Sequence, residues 1–380
     1  MKLKSKQPDL PVSIFSVMSR LAAGHKAINL SQGFPDFDAD PALITLMEKN
    51  MRAGHNQYAP MPGVPALNET LALKYQKQHG ASYHPRNEIT ITAGATEALY
   101  AAITAITFPG DEIIVFEPWY DAYLPMIRYS GGVPVTIPLT LPGFQIPWDE
   151  VERRISPRTR AILLNSPHNP SGAVLEQQDI LRLKRLAQKH DFLIISDEVY
   201  EHIIFDGKKH LSMAACPELA ARSFVIGSFG KTFHATGWKV GYVLAPPEMT
   251  GELRKIHQFI TFSVHTPTQH AYAGYLADER HYLSLGAFYQ KKRDHFARGL
   301  AASRFRLLPS RGTYFQLADY SAISDEPDTD FTRRLVEQHG LAAIPTSVFY
   351  RDGRSRGLIR FCFAKKEETL DKALEVLCRI

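Results

Sequence analysis

Between about residues 88 and 246 the chain alternates short β-branched apolar runs with longer amphipathic stretches, and turn residues mark the joins. The runs fall at 89–92, 112–116, 133–137, 161–164, 192–195, 223–226 and 240–244. Several are apolar throughout, as strands covered on both faces must be. Residues 175–190 set Ile180, Leu181, Leu183 and Leu186 at helical spacing. Strand–helix alternation of this kind predicts an α/β architecture, with a mostly parallel central sheet flanked by helices. Ligands of such sheets gather beyond the carboxyl ends of the strands.

After Pro246 the texture changes. The pattern predicts a long helical stretch from 252 to about 304, strands at 306–308, 313–317 and 358–363, and helices over 331–340 and 367–378. This reads as a second, smaller α+β domain. The expected division is a large ligand-binding domain over 40–285, and a small domain formed by 1–39 together with 286–380.

Composition narrows the classes. A chain of 380 residues commonly folds as two domains. Apolar content of 44% and charged content of 22% are ordinary for a soluble globular protein. The net charge of +5 is spread along the chain without a dense basic block. That disfavours nucleic-acid binding and leaves room for a small phosphate ligand. No segment approaches the length of a membrane span, so no membrane partner is expected. Cys216, Cys362 and Cys378 have neither metal-type spacing nor an even disulfide framework, which suits a reducing cytoplasm.

Lys231 lies in Ser228-Phe229-Gly230-Lys231-Thr232, a tight Gly-containing turn. An apolar run upstream ends in Ser196-Asp197-Glu198-Val199-Tyr200. A lysine amine near a carboxylate at the end of a buried strand suits an aldehyde cofactor: the amine can form a Schiff base and the acid can pair with a ring nitrogen. Tyr200, three positions after Asp197, could bond a ring oxygen. Asp197 could instead cap a helix. A metal reading of Asp197, Glu198, Glu201 and His202 lacks zincin or EF-hand spacing, so no metal is expected.

Other segments are less specific. Thr92-Ala93-Gly94-Ala95-Thr96-Glu97 is either an ordinary capped turn or a helix start whose free amides hold a phosphate. Asn165-Ser166-Pro167-His168-Asn169-Pro170 is a rigid turn that could present Asn169, with His168 in a packing role. The aromatic group from Phe116 to Tyr123 could stack on a flat ring. Arg360, inside an apolar strand, needs either an internal acid or a carboxylate ligand. Gly230-Lys231-Thr232 is not a nucleotide phosphate loop, because position 225 is Val where that motif needs Gly.

Taken in order, these motifs resemble the class I/II pyridoxal-phosphate aminotransferases of fold type I. The resembling branch contains glutamine transaminase K, kynurenine aminotransferase and bacterial methionine aminotransferase. The similarity runs from Asn29-Leu30-Ser31-Gln32-Gly33-Phe34-Pro35 to Arg360-Phe361-Cys362-Phe363. It implies pyridoxal 5'-phosphate as cofactor, with catalytic roles for Lys231, Asp197 and Tyr200. Ala95, Thr96, Ser228 and Lys239 would hold the phosphate, Tyr120 would stack on the ring, and Asn169 would join Tyr200 at the ring oxygen. Lys239 stands where many relatives carry Arg, so it would bind phosphate without a bidentate fork. Gly33, Asn169 and Arg360 would hold the substrate, and Tyr58 would reach the neighbouring site of a homodimer. Residues 259–266 lack the second arginine of aspartate-specific relatives. That disfavours dicarboxylic donors; the resemblance itself implies methionine first, then aromatic amino acids or glutamine, with Phe15, Tyr100 and Val264 around the side chain. Two other readings stay open. One is a cysteine-conjugate β-lyase on the same cofactor. The other is a non-catalytic aminotransferase-like regulator, disfavoured because no stretch remains for a DNA-binding module.

Overall fold

The computed structural model describes residues 3–380, so the first two residues of the expected small-domain segment lie outside it. Thirteen strands are described. In chain order they are β1 (Ile28–Asn29), β2 (Ile89–Thr92), β3 (Glu112–Glu117), β4 (Val133–Pro138), β5 (Thr159–Asn165), β6 (Leu193–Asp197), β7 (Ser223–Ser228) and β8 (Gly241–Leu244), then β9 (Arg306–Leu307), β10 (Phe315–Asp319), β11 (Leu341–Ala342), β12 (Ile344–Pro345) and β13 (Leu358–Cys362).

Seven of them form the central sheet in the order β2-β8-β7-β6-β5-β3-β4. β8 runs antiparallel to both of its neighbours, and the remaining pairs are parallel. The carboxyl ends of β2, β5, β6 and β7 therefore meet the start of β8 along one edge. Every residue of β2 and β3 is buried, which in β3 accounts for an apolar run, Ile113–Phe116, without polar alternation. The helix Gln177–Lys189 turns Ile180, Leu183, Leu186 and Ala187 inward and begins at a capping box between Glu176 and Asp179.

A four-stranded sheet, β12-β13-β10-β9, carries Arg360 on β13, where it pairs with Leu317 and Ile344 on either side. A short parallel pair, β1 with β11, ties the N-terminal segment to this part of the chain. The N-terminal helix Ile14–Gly24 packs Met18 and Ala22 in a small core of their own with Val336, Ala342, Ile344 and Phe349.

Two sequence expectations need correction. The stretch read as one helix from 252 to 304 is four helices: Pro247–Ile260, Thr266–Leu276, Arg280–Leu283 and Leu285–Leu300. Phe262 turns the chain at φ 64°, and Pro267, which lacks an amide hydrogen, opens the second helix where none is needed. The strand read at 313–317 begins two residues later, because Thr313 adopts φ 65°, outside extended backbone.

Gly227 on β7 lies opposite Tyr242 on β8, and a Cβ at position 227 would sit 2.2 Å from the Tyr242 ring. Only a residue without a side chain lets that tyrosine lie across the strand.

Candidate active site

A cavity of about 260 Å³ opens where the carboxyl edge of the central sheet faces the smaller sheet. From the large sheet come Ala95, Thr96, Tyr120, Asn169, Asp197, Tyr200, Ser228, Lys231 and Lys239. From the opposite side come Phe15, Gly33, Phe315 and Arg360. Of the residues singled out in the sequence, Tyr58, Tyr100 and Val264 lie elsewhere. Tyr58 is 84% exposed and shares a separate surface groove with Val264.

The charge balance of the lining is uneven. Lys231, Lys239 and Arg360 face a single carboxylate, Asp197. A cavity with three cations and one acid suits a ligand that brings negative charge of its own.

Arg360 is 1% exposed and makes no salt bridge among the described residues. Its Nη1 donates to Asn169 Oδ1 at 2.8 Å and its Nη2 to the Ser31 carbonyl at 2.9 Å. Its Nε has no hydrogen-bond partner among the described residues. The guanidinium lies 3.9 Å from the Phe315 ring centroid and 5.0 Å from that of Phe15. The internal ion pair considered for this arginine is therefore not what the fold provides. A buried guanidinium with an unpaired N–H leaves an opening for a carboxylate ligand.

Asp197 ends β6 and is fully buried. Its Oδ2 accepts from the Tyr123 hydroxyl at 2.6 Å. Burial pushes its carboxyl up to about 6, against the Tyr123 bond and the nearby Lys231 charge. Asn165 Nδ2 donates to the Asp197 carbonyl, and Asn165 Oδ1 accepts from the Asn169 amide, so one side chain orients both neighbours. His168 is buried with Nδ1 2.7 Å from Ser171 Oγ, and burial lowers it to about 4, a neutral packing residue as its sequence context suggested.

Lys231 follows β7 in a single helical turn, Phe229–Thr232. Burial lowers its amine to about 8, with the Lys239 and Arg360 charges acting in the same direction. Nζ donates to the Gly33 carbonyl at 3.1 Å and to the Tyr314 hydroxyl at 3.0 Å. Tyr314 itself donates to the same carbonyl at 2.6 Å.

The fit to a phosphorylated aldehyde ring can be tested on these features. The helix Gly94–Ile106 starts without a side-chain cap, leaving its first amides free toward the cavity. Gly94 adopts φ 79°, a backbone conformation that favours glycine, and a Cβ there would crowd Lys239 Nζ at 3.3 Å. Lys239 itself is held in the left-handed region at φ 52°, a conformation expected at a functional position. A buried acid without a cation bonded to it, and an amine of lowered basicity, complete the donor set. The residues fit the group.

Sequence reading missed Tyr123, Asn165, Tyr314 and Phe315. Tyr123 lay within the flagged aromatic cluster, and Asn165 within the flagged turn. Tyr314 gave no local signal, since its partner Gly33 is 281 residues away.

The segment after β6 alternates faces. Asp197 and Tyr200 line the cavity, whereas Glu198, Glu201 and His202 point into buried space behind it. There Glu201 Oε1 accepts from Lys74 Nζ and from the Tyr242 hydroxyl, both at 2.6 Å. Glu198 Oε2 lies 2.6 Å from His210 Nε2, and Glu198 Oε1 accepts from Ser196 and the Met213 amide.

Comparison with known proteins gives this architecture a class. The sequence profile described as aminotransferase class I and II matches residues 25–377, and the chain belongs to this pyridoxal phosphate-dependent family. Among individual relatives it is 50% identical to the methionine aminotransferase of Escherichia coli, over 98% of this chain and 97% of that one. It is 34% identical to kynurenine–oxoglutarate transaminase 1 of Mus musculus, covering 95% and 93% of the two chains. The crystal structure of YbdL from Escherichia coli, described as having a methionine aminotransferase function, superposes with a TM-score of 0.98 at 49% identity, each chain covered in full. Fold class, cofactor and reaction type thus agree with what the sequence motifs implied. No helix of the described residues is long and apolar enough to cross a membrane.

Proposed function

We propose that the chain transfers the amino group of an L-amino acid with a thioether or other uncharged side chain to a 2-oxo acid. Methionine is the first donor, with aromatic amino acids and glutamine following. The observation that carries this reading is the buried Arg360, free of any ion pair and the one guanidinium among the described residues lining a cavity whose substrate side carries Phe15 and Phe315. One guanidinium matches one α-carboxylate; no second is present for a side-chain acid. The 50% identity to an enzyme named methionine aminotransferase supports the same donor.

When bound, pyridoxal phosphate supplies an electron sink for the pair left on the substrate α-carbon. Lys239, Ser228 and the amides of Ala95 and Thr96 would hold its phosphate. Tyr120 would stack on its ring, Asp197 would pair with the ring nitrogen, and Asn169 and Tyr200 would bond the ring oxygen. Lys231 would anchor the aldehyde end. In the exchange of substrates, Arg360 grips the α-carboxylate with the Gly33 backbone beside it, while Phe15 covers the side chain. The freed Lys231 amine then takes the α-proton as general base; its lowered basicity keeps part of it unprotonated near neutral pH. Two half-reactions on one site predict ping-pong kinetics.

A donor screen with a common 2-oxo acid tests this. Methionine should give the highest kcat/KM, and aspartate should be poorer by more than about tenfold, the scale of a lost or unmatched charged contact. A preference for aspartate would overturn the reading.

The working unit in this proposal is a homodimer in which Tyr58 reaches the neighbouring cofactor. Tyr58, Phe259, Ile260 and Phe262 are large exposed apolar side chains, and Tyr58 rests edge-on against Phe262 at 5.5 Å. A patch of this kind on one copy suits burial against a second. Sedimentation equilibrium should give twice the 42.7 kDa chain mass, and a monomer at micromolar concentration would exclude it. A cytoplasmic setting accords with cysteines that are all unpaired.

A further inference from the structure

We infer that Tyr314 is a positioning residue for Lys231: with the Gly33 carbonyl it forms a two-point holder that fixes the freed amine and points its lone pair into the cavity. The inference rests on the reading of Lys231 as the base.

The geometry has three legs. Lys231 Nζ donates to the Gly33 carbonyl at 3.1 Å and to Tyr314 Oη at 3.0 Å. Tyr314 Oη donates its own hydrogen to that carbonyl at 2.6 Å. Its lone pairs are thereby the only part of the hydroxyl left to face the amine. A neutral amine has two N–H groups and one lone pair. Both N–H groups are engaged here, and Lys231 Nζ has no third hydrogen-bond partner among the described residues. The remaining tetrahedral direction is the lone pair, and it is the one not tied to protein.

One acceptor alone would leave the group free to turn about the last bond of a long, rotamer-rich side chain. A second acceptor, itself locked, removes that turn. The hydroxyl is well placed to stay fixed. Tyr314 is 0% exposed, and its ring stands 5.2 Å from Tyr200 and 5.6 Å from Tyr289. Burial holds its phenol well above the usual range, so it keeps its proton and serves as an acceptor toward Lys231 throughout. When Nζ takes the α-proton from the substrate, that proton becomes its third N–H, and the two existing bonds need not break.

The same bond steadies the Gly33 peptide, which borders the proposed carboxylate site. A Cβ at Gly33 would lie 2.9 Å from the Phe315 ring, so this peptide is seated directly on the Tyr314–Phe315 pair.

The test is Tyr314→Phe in the holoenzyme, with Tyr289→Phe as the matched control. Tyr289 lies in the same aromatic cluster, and its hydroxyl has no partner among the described residues. Tyr314→Phe should lower kcat for methionine by about 10- to 100-fold, the scale of a slightly misdirected base, with KM changed by less than about threefold. Tyr289→Phe should match the parent. A second readout avoids turnover altogether. Competitive acetylation of the cofactor-free protein, read at the Lys231 peptide across pH, should show the parent amine titrating near 8 and the Tyr314→Phe amine lower, because the ammonium has lost an acceptor. A kcat within about twofold of the parent, or an unchanged titration, overturns the assignment. Lys231→Ala run in parallel separates the two levels. If that variant keeps its turnover, the reading of the base fails; if it is inactive and Tyr314→Phe is normal, only the holder fails.

Discussion

Lys231→Ala is expected to lose turnover by more than about 10⁴-fold, because both the covalent anchor and the general base disappear with one amine. The fold should survive. The amine is buried without an acidic partner bonded to it, and its contacts are one carbonyl and one hydroxyl that already bond each other. Removing a buried group whose basicity burial has already lowered costs the folded state little. The measurement is steady-state exchange alongside thermal unfolding. Near-normal activity with an unchanged melting temperature would refute the lysine assignment. Borohydride reduction of the parent holoenzyme, followed by peptide mapping, should place the cofactor on residue 231, and a label elsewhere would do the same damage.

The second large effect is on stability. Lys74→Met should cost about 3–5 kcal/mol, the usual loss when one partner of a buried ion pair is removed. Lys74 and Glu201 have side chains only 3% exposed and meet at 2.6 Å. Burial works to raise Glu201, but Lys74, His202 and the Tyr242 bond outweigh it, and the carboxyl sits well below its ordinary range. A depressed carboxyl stabilises the fold above its unfolded pKa, and that contribution is lost as pH falls through the folded value. The variant should therefore unfold at lower denaturant at pH 7, and the gap from the parent should narrow in acid. Replacing both partners, Lys74→Met with Glu201→Leu, should recover much of the loss, since no lone charge then remains. Urea midpoints for the three proteins decide it; a single variant as stable as the parent would rule out a stabilising pair.

The parts of this molecule legible in the sequence are those written within a few residues of a strand end. Asp197, Asn169 and Lys231 each follow an apolar run closely, and strand termini are where α/β sheets bring chemistry together. The alternation of runs was enough for a mostly parallel sheet, but not for the reversed β8, whose direction depends on a long connection and leaves no mark on its own composition. The breaks at 261–265, 277–279 and 284 leave little mark because Thr266–Leu276 is buried on most of its faces and gives no one-sided apolar pattern to delimit it. Contacts made across the chain were out of reach: Lys74 with Glu201, 127 residues apart, and Tyr314 with Gly33. In the sequence, Glu198 and Glu201 offer only a metal reading beside Asp197 that fails on spacing. Only the fold shows that the segment is covered on both sides.

That double covering has an electrical consequence. A single strip of backbone, residues 197–202, separates the ligand cavity from a buried cluster that holds the Lys74–Glu201 pair and Glu198 with His210. After burial itself, the Glu198 charge is among the influences that raise the proton affinity of Asp197, although Glu198 faces away from any ligand. In the proposed pairing of Asp197 with the ring, a residue that touches no ligand thus adds a small share to the proton affinity of that acid, through a wall one peptide thick.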